Sequence, residues 1–443
     1  MAEAARYVFY WGCQIPARLA FWEKSIRGVM ARVGIEGVEV DGFSCCPEKN
    51  LVANWGHRAW LLAAARNLAL AERQGLDMLL FCNGCYSTLK SAQAELAAST
   101  ATLAEVNASL EEIGLVYRGR VRVKHVLEVL HDDIGPGRIR MLLEKPMNGL
   151  KIAVHPGCHL LRPSWAIHFD DPLKPTKYDA LVEALGAQSL SYQTKMMCCG
   201  GALGNVGEGE ASLALARKKL LEVQEAGADA ITVSCPSCFM QFDQKQYLAQ
   251  RQGEQLHVPV FSYVELLGLA MGLEPEELGL SGHRVDLAPF FASWDKHRRD
   301  FDQVRRHLDL AAVRNCYACG ACVSDCPVAE ITPEFEPNRL IGEVLDGRIE
   351  ALLSGRQIWM CLECHTCYEL CPQKFGMEKV FTTLKHLSLE RQKAPASMQG
   401  AVKSFLTSGR LGAPDVKARQ KLGLPPSPAP PGDDFKQLLG RKE

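Results

Sequence analysis

The sequence predicts an α/β domain that occurs twice in tandem, followed by a smaller α-helical domain. Short apolar runs typical of strands alternate with helical segments over roughly the first 285 residues, a pattern that indicates an α/β architecture with parallel sheets. One series of cysteines occurs in both halves of this region. Near residue 285 the alternation stops and the charged run 296–300 follows, so we place a domain boundary there.

The predicted elements of the two halves follow the same order. The predicted strands are Tyr7–Tyr10, Val38–Val40, Met78–Phe81, Lys151–Val154 and Ala230–Val233, and the predicted helices are Phe21–Val33, Trp55–Arg73, Tyr86–Ala98 and Glu210–Glu225. Residues 121–130 align without gaps with residues 258–267. The halves differ by insertions near residues 92–114 and 159–177. We interpret this as an internal duplication whose halves pack about a pseudo-twofold axis.

The duplicated cysteines recur in the same order in both halves, most of them after predicted strands. The first half carries Cys13, Cys45, Cys46, Cys82 and Cys85, and the second carries Cys158, Cys198, Cys199, Cys235 and Cys238. In both copies 36 positions separate the second cysteine of the adjacent pair from the C-x2-C, from 46 to 82 and from 199 to 235. Because sites in open α/β sheets form outside the carboxyl ends of strands, we expect these thiols to face a shared cleft.

Composition and charge exclude several classes of protein. A net charge of −1 gives no basic surface for nucleic acid. The N-terminus does not resemble a signal peptide, and no uninterrupted apolar run reaches about 18 residues. We therefore expect a cytoplasmic protein without a transmembrane segment. Disulfides are the alternative for the 18 cysteines, but clustering at ligand spacing without a secretion signal favours metal.

The strongest motif is a pair of C-x2-C-x2-C-x3-C-P runs near the C-terminus. In such runs three thiols hold one [4Fe-4S] cubane and the fourth ligates the other cluster. We assign Cys316, Cys319, Cys322 and Cys371 to one cubane, and Cys361, Cys364, Cys367 and Cys326 to the second. Structural zinc is the alternative, although zinc sites usually combine two C-x2-C pairs. His365, within the second run, is expected to tune or shield a cubane.

Five thiols in each N-terminal half need another explanation. A cubane takes four, so either one cysteine per half is spare or the cluster is not an ordinary cubane. The alternative is a four-thiolate zinc site with a fifth, structural thiol.

With these motifs the sequence resembles heterodisulfide reductase. Residues 1 to about 285, with their cysteine-rich CCG-type halves, are similar to its B subunit, and residues 290 to about 390 to its C subunit, as in a fusion. The implied domains are residues 1–148 and 149–288 for the two CCG-type α/β halves, 289–392 for a ferredoxin-like domain with two [4Fe-4S] clusters, and 393–443 for a C-terminal helix and Pro-rich tail.

The resemblance implies a noncubane [4Fe-4S] cluster in each five-cysteine motif, with a disulfide cleaved between the two clusters. It also implies that His159, after Cys158, is a proton donor or substrate contact. The alternative is a histidine hydrogen-bonded with His155 in the turn. In the first half Pro47 replaces the glycine that Gly200 retains, and proline fixes φ near −65° and lacks an N–H. One N–H to sulfur bond should therefore be missing at the first site.

The electron requirement also favours disulfide chemistry. Cleaving a disulfide takes two electrons, whereas each cluster carries one. No flavin or nicotinamide motif occurs, so electrons must come from another protein, which the resemblance identifies as a flavoprotein (A-subunit-like) in a bifurcating complex with other redox subunits. The alternative is a relay subunit that serves another reductase, for example of acyl-CoA or an aromatic ring, and meets no disulfide.

Overall fold

The computed structural model describes residues 5–305, 320–345, 348–371 and 375–439. The chain forms two compact units, residues 1–299 and 300–443. The finer division into four domains stays a prediction. Within the described ranges, no helix is both long enough and apolar enough to cross a bilayer.

The first unit contains two four-stranded parallel sheets. The strands are β1 Ala5–Tyr10, β2 Ile35–Val38, β3 Met78–Leu80, β4 Val123–His125, β5 Lys151–Val154, β6 Gln188–Leu190, β7 Ala230–Val233 and β8 Val260–Ser262. Their spatial orders, β2-β1-β3-β4 and β6-β5-β7-β8, are the same in both halves. The predicted duplicated α/β fold is therefore confirmed.

The central strands are buried on both faces. All three residues of β3 and all four of β7 are buried, as expected where helices cover both sides of a parallel sheet. The registers of the two halves also match, because Phe9 pairs with Leu79 and Val154 pairs with Thr232, each partner lying three residues before the first cysteine of a C-x2-C. The two sheets therefore deliver their cysteines in equivalent places.

Helices follow most strands of the first unit. The α-helices are Gln14–Arg18, Ala20–Val33, His57–Glu72, Asn83–Ala98, Thr100–Glu111, Val126–Glu128, Pro136–Met141, Lys177–Ala184, Gly201–Asn205, Gly209–Glu225, Pro236–Phe242, Gln244–Arg251, Tyr263–Ala270 and Ala288–Arg305. Segments of π-helix occupy Lys49–Ala53 and Val129–Ile134, and 3₁₀ turns occupy Cys158–Leu160, Gln193–Met196 and Leu280–Gly282.

The predicted strand Val38–Val40 was placed too late, because Gly34 ends the preceding helix at a φ of 84° and β2 begins at the next residue. The first predicted insertion contains the helix Thr100–Glu111.

Aromatic packing joins the two halves. The Trp22 ring, on the helix Ala20–Val33, lies 5.2 Å from the Phe239 ring between centroids. Phe239 belongs to the helix Pro236–Phe242, which also carries Cys238. Nearby, the Ser25 hydroxyl donates to the Leu278 carbonyl at 2.5 Å. The orientation of one cysteine-bearing sheet is thus tied to that of the other.

The second unit is helical in its described parts. Its α-helices are Ala321–Ser324, Pro327–Ile331, Pro337–Leu345, Ile349–Ser354, Thr366–Leu370, Met377–Glu390, Ala396–Ser408, Val416–Lys421 and Asp433–Leu439, with a 3₁₀ turn at Gln357–Met360. The helix ending at Ser408 is predicted from the sequence, but the two after it are not. The amphipathic pattern of residues 301–313 predicts a further helix, most of which falls outside the described residues.

Candidate metal centre

The ten cysteines of the first unit line a single cavity of 820 Å³. They come from both halves and are Cys13, Cys45, Cys46, Cys82, Cys85, Cys158, Cys198, Cys199, Cys235 and Cys238. Each half supplies them from the carboxyl ends of its parallel strands and from the adjoining loops. The structure thus brings together all the cysteines that the sequence grouped in these two motifs.

In the first site the five thiols line one side of the cavity and influence one another. The neighbouring Cys46 and Cys82 thiols raise the pKa of the Cys85 thiol. The neighbouring Cys45 and Cys85 thiols lower the pKa of the Cys46 thiol to about 5. A lowered pKa favours the thiolate, the form that ligates metal.

The second site repeats this arrangement. The Sγ atoms of Cys238 and Cys199 lie 3.5 Å apart. The neighbouring Cys158 and Cys199 thiols lower the pKa of the Cys198 thiol to about 2, which favours its thiolate form. A second group of five thiols is thus assembled from the matching positions of the other half.

The two sites meet at the C-x2-C motifs. The Sγ atom of Cys82 lies 4.0 Å from the Sγ atom of Cys235. Beside this contact, the Asn83 amide donates to the Pro156 carbonyl at 2.9 Å and accepts a hydrogen bond from the Ser234 hydroxyl at 3.0 Å. Asn83 therefore fixes the spacing between the two thiol groups.

The bridging role of Asn83 was not predicted from the sequence. The sequence shows an amide side chain inside a C-x2-C motif, but the partners of this amide, Pro156 and Ser234, lie in the other half of the chain.

Gly200 and Pro47 differ as the sequence indicates. The Gly200 N–H donates to Cys198 Sγ at 3.4 Å, and proline has no N–H to make this bond at the first site. Gly200 has a φ of 84°, and a Cβ there would lie 2.8 Å from the Ser212 carbonyl oxygen. The expected φ near −65° for Pro47 is wrong, because its φ is 23°. The chain at the first site adopts a turn that proline disfavours.

His159 lies on the 3₁₀ turn Cys158–Leu160 and lines the cavity. Burial, with the charge of Lys49, lowers its pKa against the opposing effect of Cys235. The alternative hydrogen bond to His155 is wrong, because neither ring nitrogen of His155 has a hydrogen-bond partner among the described residues. The catalytic role of His159 stays a prediction.

The chemistry of the donor set suits an iron–sulfur group. None of the ten thiols forms a disulfide with any described residue. They pack against one another around a cavity, with two sulfur pairs at 3.5 and 4.0 Å, and thiolates are the usual ligands of such clusters.

In the second unit, five cysteines line one pocket together with His365. They are Cys322, Cys326, Cys361, Cys364 and Cys367. His365 Nδ1 lies 3.7 Å from a Glu378 carboxylate oxygen.

Cys371, the remaining described cysteine of the two runs, does not line this pocket. Cys371 is buried and accepts a hydrogen bond from the Phe375 N–H at 3.4 Å. The predicted ligands Cys316 and Cys319 lie outside the described residues, so the pairing of ligands between the two clusters stays a prediction.

Comparisons with known proteins place the chain in a family. A cysteine-rich domain model matches residues 7–90 and 152–243, and a 4Fe-4S dicluster model matches residues 312–375. The chain is 38% identical over 291 residues to the B subunit of the Ferredoxin/F(420)H(2)-dependent CoB-CoM heterodisulfide reductase of Methanosarcina acetivorans, covering 65% of this chain and 96% of the relative. The chain belongs to the family of heterodisulfide reductase B subunits.

This B-type chain continues into a C-type portion. It is 31% identical over 119 residues to the C2 subunit of the H(2)/formate:CoB-CoM heterodisulfide,ferredoxin reductase of Methanococcus maripaludis, covering 26% of this chain and 64% of the relative. The predicted fusion of B-like and C-like portions is therefore confirmed. The iron–sulfur character of both portions follows from the matching domain models.

Two further comparisons bear on this heterodisulfide reductase-type chain. It is 32% identical over 281 residues to the 8-methylmenaquinol:fumarate reductase membrane anchor subunit of Wolinella succinogenes, covering 63% of this chain and 97% of the relative. A solved structure of a hypothetical protein from Helicobacter pylori matches with a TM-score of 0.52 at 17% identity, over 64% of this chain and 52% of that one. The chain thus spans about half the length of that structure, and the match shows the fold alone.

Proposed function

We propose that this chain is the iron–sulfur subunit of a heterodisulfide reductase-like complex, in which it reduces a disulfide to two thiols. One observation carries the proposal: two five-thiol groups line one cavity and approach each other to 4.0 Å at Cys82 and Cys235. A molecule in this cavity is within reach of both groups.

The reaction consumes two electrons and two protons, so that R–S–S–R′ becomes R–SH and R′–SH. When bound, each cluster supplies one electron at a time. The chain itself holds the thiolates, fixes the distance between the two sites through Asn83, and places the His159 imidazole at the cavity wall. We assign the proton delivered to one product sulfur to this imidazole.

The cavity wall indicates the class of substrate. Leu51, Val52 and Leu248 provide apolar surface, Arg18 and Lys245 provide two cations, and Glu48 provides one carboxylate. An apolar chain with an anionic end, joined through a disulfide, matches this lining. Electrons reach the cavity through two cubanes on the second unit, and a flavoprotein of a bifurcating complex supplies them.

The test is thiol release from a set of asymmetric disulfides, with anaerobic protein and a reduced low-potential donor. We expect turnover with disulfides that carry an anionic group. We expect His159→Ala to lower this turnover about 10²- to 10⁴-fold without loss of iron, as for removal of a general acid. His168→Ala, which changes an exposed histidine of the same half, is the matched control and should keep full activity.

A second candidate function is an electron relay. The fumarate reductase subunit of Wolinella succinogenes, 97% of which this chain covers, favours it. A relay needs only ordinary cubanes, whereas this chain keeps both five-cysteine groups, so we prefer the disulfide reaction. Rapid cluster reduction by a co-purified flavoprotein, with no turnover of any disulfide tested, would establish the relay instead.

A further inference from the structure

The last part of the second unit, residues 396–439, exposes a large amount of apolar surface. We call this segment the C-terminal arm. It is a small fraction of the described chain, yet it holds nearly half of the large apolar side chains that are exposed there. No residue of the arm whose side chain the structure describes is buried, and the last residue in the hydrophobic core of the second unit is Leu387. Exposed apolar patches of this kind mark interaction sites.

The arm is ordered by backbone contacts and not by a core of its own. Its three helices are 13, 6 and 7 residues long. The Arg419 guanidinium donates to the Pro425 carbonyl at 2.7 Å, and Arg410 donates to the Pro428 carbonyl, so the proline-rich segment folds back on the helices. Isolated helices below about 15 residues are marginal in water. A further surface is therefore needed to cover the arm.

The longest helix of the arm, Ala396–Ser408, has a continuous apolar face. Four apolar residues follow the spacing i, i+4, i+7 and i+8, which places them on one side of a helix. They are Met398, Val402, Phe405 and Leu406, and they are 38% to 48% exposed. A helix with such a face binds in an apolar groove of another protein.

The arm is also basic. Residues 396–432 contain five lysines and arginines but one aspartate, whereas the full chain has a net charge of −1. The aspartate, Asp415, caps a helix within the arm. The ammonium groups of Lys403, Lys417 and Lys421 are exposed and have no acceptor among the described residues. Carboxylates on the covering surface would complement these cations.

A protein surface fits the arm better than a membrane does. Helices that lie on anionic membranes are rich in lysine and arginine on the polar face and carry tryptophan, phenylalanine or leucine on the apolar face. The helix with the apolar face has a single basic residue, Lys403, and residues 396–443 contain no tryptophan or tyrosine. These features favour a protein groove.

The arm begins beside the part of the second unit that carries the cysteine pocket. The helix Met377–Glu390 lines this pocket, and its Lys385 ammonium donates to the Cys361 carbonyl at 2.8 Å. The connection from this helix to the arm is fixed, because the Arg391 guanidinium pairs with the Glu350 carboxylate at 2.6 Å. A protein that covers the arm is therefore held near the predicted cubanes.

We propose that the C-terminal arm is the docking element for the electron-donating flavoprotein, which covers it with an apolar groove bordered by carboxylates. This inference rests on the proposed function, which needs an electron donor at the cubanes. Docking at the arm keeps that donor beside the helix that lines the cubane pocket.

The test measures binding of the co-purified flavoprotein to full-length, anaerobically purified variants. Val402→Glu combined with Leu406→Glu places two carboxylates on the apolar face and should weaken binding about 30-fold or more, as for loss of interface hot spots. Ser397→Glu combined with Thr407→Glu adds the same charge five residues to either side of Val402, away from the apolar face, and should weaken binding far less. Both variants should keep their iron and their disulfide turnover with a reduced low-potential donor.

Hydrogen exchange of the wild-type chain identifies what covers the arm. Arm amides should exchange rapidly in the free chain and be protected in the flavoprotein complex. Equal flavoprotein binding by the two double variants would overturn the inference. So would protection of the arm in the free monomer, protection that appears only in a dimer of this chain, or protection by phosphatidylserine vesicles but not by the flavoprotein.

The docking and the disulfide reaction can fail separately. Any of these four results, with normal disulfide turnover from the low-potential donor, would overturn the docking alone. A wild-type chain that binds the flavoprotein through the arm, but turns over no disulfide with either donor, would overturn the proposed reaction alone.

Discussion

Replacing Asn83 by alanine should uncouple the two thiol groups and destabilise the first unit. The Asn83 side chain is 1% exposed and makes two hydrogen bonds to the other half, one to the Pro156 carbonyl and one from the Ser234 hydroxyl. Each bond contributes about 1 kcal/mol, and the buried partners left unpaired add about 1–3 kcal/mol in all. We expect Asn83→Ala to lower the free energy of unfolding by about 3–5 kcal/mol.

The assay is anaerobic thermal unfolding, followed by disulfide turnover on the same samples. For domains of 150–250 residues, 1 kcal/mol shifts Tm by about 2–4 °C, so the expected loss is about 6–20 °C. Turnover should fall more than iron content does, because each half keeps its own five cysteines while the distance between the halves is no longer fixed.

Asn205→Ala is the matched control for Asn83. This asparagine is exposed on the wall of the same cavity, and its replacement should leave Tm within about 1 °C of wild type, as is usual for surface changes. An Asn83→Ala protein with the Tm and turnover of the control would refute the idea that this amide holds the two sites together.

Three other changes test the site and its surroundings. Gly200→Ala places a Cβ 2.8 Å from the Ser212 carbonyl oxygen at a φ of 84°, where the left-handed backbone alone costs about 1–2 kcal/mol. Iron analysis of this variant should show loss of the second cluster only. An iron content equal to that of wild type would contradict this expectation. Burial acts to lower the pKa of His283, but its ion pair with Glu265 outweighs burial and raises the pKa above 6.5. The contribution of this ion pair to the free energy of unfolding is complete below about pH 6.5 and is lost as pH rises through the raised pKa. Denaturant titrations across this pH range should show the loss in wild type and not in His283→Gln. The same dependence of unfolding free energy on pH in both proteins would count against it. Burial lowers the pKa of Lys219 to about 8, which leaves the ammonium charged at pH 7. Lys219→Met removes this charge, and a Coulomb energy on the order of 1 kcal/mol should lower the reduction potential of the second cluster by about 40 mV in a redox titration. An unchanged potential would exclude this effect.

Much of the fold follows from local sequence. Residues 151–154 and 230–233 were predicted with their observed bounds because buried parallel strands are continuous apolar runs. The strand Ile35–Val38 was predicted three residues late, since Glu36 and Gly37 hide its apolar pattern. The helices Val416–Lys421 and Asp433–Leu439 were missed because they lie beside prolines and have little apolar periodicity.

The candidate site was likewise only partly predictable from the sequence. The spacing of the cysteines was enough to group them, because both halves repeat one local pattern. The contact between Cys82 and Cys235, and the bridge at Asn83, depend on how the halves pack across more than 150 residues of sequence.

Metal analysis of the anaerobically purified full chain tests the central claim, that both five-thiol groups hold iron–sulfur clusters, most directly. We predict about sixteen irons per chain from four four-iron clusters. We predict about twelve in a variant in which Cys235 and Cys238 are replaced by serine, with the first site intact. About eight irons with about two zincs, both zincs lost with the N-terminal cysteines, would contradict the account.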